Sequence, residues 1–247
     1  MKTTWTIAKK EFSLYFYTPV AYVLAAVFYI INGLLFYFLL NAANRPEVQV
    51  EGSIMQYIFG DIFFWITLFI LVPVLTMRLI SEERREGTLE LLLTFPLNDF
   101  QLITGKFFGA FFFYFFLWIP TFIYVGILFL FQPPDIGPIL SAFLGVLLVG
   151  AMFIAIGLFS STLSENQIIS AMVSFGIILG LFLVSAIETL LPPGIMRFVL
   201  QYLNFIRHLD LFKIGIIDTR HIVYFLSFIL FFLFLSIRSL ESRRWTR

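Results

Sequence analysis

A chain of 247 residues that is 60% hydrophobic and 13% charged, with a mean hydropathy of +0.97, departs far from ordinary soluble domains. Those are roughly 45–50% apolar and about 25% charged. The net charge of +1 gives no basis for binding nucleic acid, and the absence of cysteine excludes disulfides, thiolate metal sites and cysteine nucleophiles.

The composition reads as an all-α integral membrane protein, with the 34 phenylalanines as lipid-facing filler rather than an aromatic-substrate site. Residues 1–18 come first. Trp5, Ala8, Phe12, Tyr15 and Phe16 recur there at helical spacing, the pattern of an amphipathic helix lying on the inner membrane surface. The apolar run that follows is too long for the core of a cleavable signal and is preceded by Lys9, Lys10 and Glu11.

Apolar runs long enough to cross about 30 Å of hydrocarbon occur at 19–40, 58–77, 107–131, 139–160, 168–187 and 222–237. The last is short, bounded by His221 and Arg238, and spans only if Arg238 snorkels or the helix starts earlier. The fourth and fifth must form a hairpin, since one straight helix over both would be more than twice the bilayer thickness. The intervening "SENQ" puts Ser164 at an N-cap and Gln167 at N3, the capping-box spacing. Pro73 and Pro120 are expected to kink their spans, and Gly105/Gly109 and Gly176/Gly180 have the spacing that lets helices approach closely.

Orientation follows from the Lys and Arg residues outside the spans. With both termini cytoplasmic, the inner side holds Lys2, Lys9, Lys10, Arg78, Arg84, Arg85, Lys106, Arg238, Arg243, Arg244 and Arg247, eleven cations. The outer side then holds five: Arg45, Arg197, Arg207, Lys213 and Arg220. The excess puts the termini and the charge-rich segment 78–106 in the cytoplasm.

Residues 188–221 form an outer amphipathic hairpin. After "LPPG", Ile195, Phe198, Val199, Tyr202, Phe205 and Ile206 share one helical face, with Arg197, Gln201, Asn204 and Arg207 turned away. Gly215 and an Asp218 or Thr219 cap then precede the last span. Asp61 and Glu188, at the outer ends of the second and fifth spans, are candidates for lining a pathway, with plain solvation at the interface as the competing reading.

The segment 78–106 parses as helix, corner and short helix. Arg78 with Glu82, and Glu82 with Arg85, have the spacing of helical ion pairs, and Gly87 ends that helix. Thr88 can cap a helix over 89–94 with Glu90 in its first turn, before Pro96. "NDFQ" then repeats the cap at Asn98 to start the third span. A short helix carrying Leu91, Leu92 and Leu93 amid charge needs a protein groove to bury it.

No catalytic constellation lies in the spans. His208 and His221 belong to the outer hairpin, so an intramembrane Ser–His protease lacks its base. "EERRE" begins like the Glu-Glu-x-x-x-Arg motif of Abi-type intramembrane proteases, but Gly87 stands where the arginine is needed. "TGK" at 104–106 is no phosphate loop, because Phe100 and Gln101 stand where the upstream glycine belongs.

"EERREGTLELLLTFPL" resembles the first cytoplasmic loop of ABC-2-type transporter permeases, in which Glu-x-x-x-Gly-Thr-x-Glu-x-Leu precedes a proline. The order of elements is similar over essentially the whole chain. Within that family the chain is most similar to the gliding-motility-associated permease subunit and its nitrous-oxide-reductase-maturation relatives. The resemblance implies a multi-pass permease of the bacterial cytoplasmic (inner) membrane, free of cofactor, whose coupling helix docks on a separate ATP-binding subunit that carries ATP and Mg. It implies a second permease copy or a related permease, and an additional auxiliary subunit in the gliding-type relatives. Glu82, Glu83, Glu86, Gly87, Thr88, Glu90, Leu91 and Leu92 match the loop pattern. Leu91 and Leu92 are then expected in the ATPase groove, with Glu83, Glu86 and Glu90 meeting basic groups around it. Two other classes stay open: a six-span channel or secondary transporter, which calls for paired intramembrane charges, and a membrane anchor or assembly subunit that moves no solute.

Overall fold

The computed structural model describes residues 2–43, 59–88, 98–131 and 134–244. Its elements are α1 (Lys2–Tyr17), α2 (Pro19–Ala43), α3 (Ile62–Thr76), α4 (Ser81–Arg85) and α5 (Asp99–Trp118). A 3-10 turn, Ile119–Thr121, joins α5 to α6 (Phe122–Phe131). Then follow α7 (Ile136–Leu163), α8 (Gln167–Leu190), α9 (Ile195–Leu203), α10 (Phe205–Lys213) and α11 (Thr219–Arg244). The described residues are all-helical, and six of the helical segments are long and apolar enough to cross a membrane.

Helix α7 is the hub, packed against α3, α5, α8, α10 and α11. In lipid, hydrocarbon burial does not itself pull helices together, so association depends on close van der Waals approach. Small residues on α7 make that approach possible: Tyr114 of α5 lies over Gly150, and Thr76 of α3 fills the notch at Gly157. Around this hub Phe28, Phe59, Phe64, Trp118 and Phe143 pack edge to face or tilted.

Several element limits differ from the sequence expectation. The third span begins at Asp99, and Pro120 turns it through the 3-10 step instead of merely bending it. The last helix runs from Thr219 to Arg244, which removes the difficulty of a short span. The turn after α7 is capped by Asn166, whose side chain accepts from the Ile168 amide at 2.9 Å. Ser164 instead ends α7 and accepts from the Asn166 amide at 3.1 Å, so Gln167 is N1 and the capping box does not form. Asn98 does occupy the N-cap of α5, without a side-chain cap bond. At Gly176 and Gly180 an added Cβ would meet nothing within 4 Å, so among the described residues that pair packs against no other helix.

Helix α1 adds a contact that the sequence did not reveal. Its Ala8 and Tyr15 are buried against α5, which runs alongside it in the same direction. A Cβ on Gly105 would stand 2.7 Å from the Ile7 side chain, and one on Gly109 would stand 2.5 Å from that of Glu11. Tyr15 stacks on Phe113 at 4.5 Å, and Phe12 and Phe16 meet Phe116 edge-on. Much of the apolar stripe of α1 is thus taken up by α5, while Trp5 stays exposed.

Candidate functional site

The charged corner begins where α3 ends. Residues 77–80 turn without continuing the α-helix, against the expectation of one helix through Glu86. Their free backbone groups are taken up by α7: the Ile80 and Ser81 amides donate to the Ser161 hydroxyl at 2.9 and 3.0 Å, and that hydroxyl donates to the Met77 carbonyl at 3.1 Å. The Ser81 hydroxyl donates to the same carbonyl. One buried serine thereby satisfies a broken turn that lipid could not.

Helix α4 is then fastened on two sides. Arg84 pairs with Glu165 at 3.0 Å in the α7–α8 turn and donates to the Thr162 carbonyl at 3.3 Å. On the other side, the Lys106 ammonium of α5 lies 2.7 Å from Glu83 of α4 and 2.7 Å from Glu11 of α1. Lys106 is 1% exposed. An ammonium so buried costs several kcal/mol unless paired, and here two carboxyl groups share the one cation. The second oxygen of Glu83 is buried without a partner.

Arg78 does not pair with Glu82. Its guanidinium donates to the Thr18 hydroxyl at 2.6 Å, at the α1–α2 joint, and lies over the Tyr15 ring 5.4 Å from its centroid. Tyr15 in turn donates to the Leu75 carbonyl at 3.0 Å, and burial raises the pKa of its phenol. The joint between α1 and α2, the end of α3, α4, the start of α5 and the α7–α8 turn are thus linked through side chains.

The motif residues divide. Glu83 faces inward, while Glu86 and Gly87 are exposed and Glu82 is half-buried. Gly87 has φ +71, the left-handed conformation that closes a helix and that L side chains rarely adopt. Thr88 reaches back, its hydroxyl donating to the Glu83 carbonyl at 3.1 Å. Glu90, Leu91 and Leu92 lie outside the described residues. Lys106 and Glu11 were missed as partners. The available signal was one lysine beside Gly105 in an aromatic run, and one glutamate on the same helical face as Ala8, Phe12 and Tyr15.

At the other end of α8, Glu188 is buried and accepts from Asn204 Nδ2 at 2.7 Å, with Arg207 3.7 Å away and Arg197 at 4.0 Å. Asn204 also accepts from Ser185 and from the Ile206 and Arg207 amides. It therefore breaks the expected single amphipathic helix into α9 and α10 and faces inward. Phe205 is fully buried, whereas Ile195, Phe198 and Tyr202 stay exposed. Asp61 is the N-cap of α3, accepting from the Phe63 amide at 2.8 Å. In this chain Asp61 caps a helix and Glu188 fastens the hairpin.

Six long apolar helices, one of them a small-residue hub, define a multi-pass α-helical membrane protein. Residues 17–184, more than half of the chain, match the family model described as ABC-2 family transporter protein, and the chain belongs to that family. No curated protein matches it.

Proposed function

We propose that this chain is the permease subunit of an ABC transporter and that the segment from Glu82 to Leu92 docks on a separate ATP-binding subunit carrying ATP and Mg. Membership of the ABC-2 family supports a permease. The observation that carries the docking is the corner itself: the chain turns at Gly87, just past α4, with φ +71, and the inner side of α4 is tied to α1, α5 and the α7–α8 turn. A surface held from behind on several elements transmits a push instead of yielding to it.

In this reading Glu82 and Glu86 present charge to the partner together with Glu90, while Leu91 and Leu92 enter its groove. Glu83 serves the internal cluster. The protein sits in the bacterial cytoplasmic membrane with both termini inside, and it works with a second copy or a related permease. Closure of the ATPase pair displaces the corner and tilts α3 and α5, driving export or a membrane machine such as the gliding apparatus, where an auxiliary subunit joins.

Gly87→Pro, which cannot adopt a positive φ, and a Leu91→Asp, Leu92→Asp double variant test the docking. Each is expected to insert normally and to lose the ATPase on co-purification. Undiminished co-purification in both variants would sink the docking proposal.

A further inference from the structure

The hairpin closes on itself through two histidines. His208 on α10 and His221 in the first turn of α11 meet Nδ1 to Nδ1 in hydrogen-bond contact, with ring centroids 4.7 Å apart. The other nitrogen of His208, Nε2, lies 3.0 Å from the Tyr202 carbonyl of α9. A carbonyl only accepts, so Nε2 carries a hydrogen, and in neutral His208 the Nδ1 is bare. The hydrogen between the rings therefore belongs to His221. Stacking on Tyr224 at 3.9 Å fixes the plane of the His208 ring, and Tyr224 is itself held by donating to the Leu203 carbonyl at 2.8 Å.

A first added proton can go to His221 Nε2 without disturbing this bond. The next has only His208 Nδ1, and it converts a donor facing an acceptor into two donors facing each other. We propose that His208 and His221 are an acid-sensitive latch that holds α10 to α11 while His208 is neutral and releases it when His208 is protonated.

The surrounding charges favour the neutral form. Arg207 adjoins His208 on α10, His221 faces it from α11, and α9 contributes the Tyr202 carbonyl and ring. Helix α8 contributes Glu188, which is engaged by Asn204 and Arg207. Helix α7, packed behind α10 through Gly145 and Ser141, contains no ionisable residue. Asp210 is paired with Lys213 at 2.8 Å, and Asp218 caps the Arg220 amide. Burial first, with the nearby charges of His221 and Arg207, lowers the His208 pKa, against the opposing pull of the Tyr202 carbonyl, which raises it. A group whose value is lowered in the latched state favours that state fully above its ordinary value of about 6.5, and the preference is lost progressively as pH falls below it.

Hydrogen exchange of the full chain in lipid nanodiscs tests this at about pH 7.5 and about pH 5.5, one unit either side of the ordinary imidazole value. After correction for intrinsic exchange, amides of Phe205–Lys213 are expected to exchange several-fold faster at the lower pH. In His208→Asn the amide oxygen keeps an acceptor at the Nδ1 position and cannot be protonated there. In His221→Asn the amide can turn over and offer its oxygen to a protonated His208. His208→Asn is expected to exchange equally at the two pH values and His221→Asn to keep only a reduced acid loss from the burial of His208, and if one fails to fold the other still decides. Equal protection of the wild type at both pH values would overturn the latch, as would an acid loss of the same size in a folded variant.

Discussion

Helix α1 buries Ala8, Glu11 and Tyr15 against α5, whereas α9, at the opposite end of the bundle, leaves Ile195, Phe198 and Tyr202 uncovered, at 87%, 73% and 65% exposure. Both present an apolar stripe at helical spacing beside a span. The stripe of α1 contains a carboxylate, and the facing helix offers two glycines and a lysine where it lands. The stripe of α9 contains no charge, and its cationic edge, Arg197, turns toward Glu188 instead. A buried charge needs a partner that lipid cannot supply. An amphipathic stripe interrupted by a carboxylate thus points to a protein contact, and an uninterrupted one is compatible with an interface of lipid and water.

Lys106→Met breaks the comparison most strongly. It strands Glu11 and Glu83 together without their cation, and removing one member of a buried pair costs about 3–5 kcal/mol. Thermal denaturation in detergent is expected to show a large loss, recovered in part when Glu11→Gln and Glu83→Gln are added. If Lys106→Met alone melts like the wild type, the cluster does not hold α1 in place.

Gly109→Leu attacks the same contact sterically. Overfilling a close helix approach costs about 1–3 kcal/mol, and α1 is expected to become protease-sensitive while the spans persist. Unchanged protection of Lys2–Tyr17 would show that the approach is looser than the structure gives.

The smallest effect belongs to α9. Phe198→Ser removes an exposed ring and is expected to move stability by no more than about 0.5 kcal/mol. A loss comparable with that of Gly109→Leu would mean that another protein surface covers this face in the assembled transporter.

Much of the architecture was legible because hydrocarbon thickness sets helix length and backbone polarity forbids anything but helix in lipid. All six spans could be placed from apolar runs, with their limits shifted. The third span was misjudged at its start because Lys106 looks like a loop residue until its two carboxylates are known. The ends of helices were harder. Asn166 and Ser164 are both good caps, and only the path of the chain decides which amide each one meets.

At the corner, the glycine turn at Gly87 was readable because a positive φ has a residue signature. The same string of glutamates did not reveal that Glu83 points inward while Glu86 points out, since that depends on what lies behind α4. Arg78 likewise had a plausible partner one turn away and took a more distant one at Thr18.

The sequence by itself determined a membrane-spanning helical protein, its six spans and the presence of a charged corner, because each follows from local composition and period. Only the tertiary structure decided which charges that corner spends internally, where the outer helix breaks at Asn204, and that two histidines thirteen positions apart share one hydrogen. Those outcomes depend on which elements come into contact, and contact between distant segments is set by how small residues such as Gly105, Gly109 and Gly157 let helices approach.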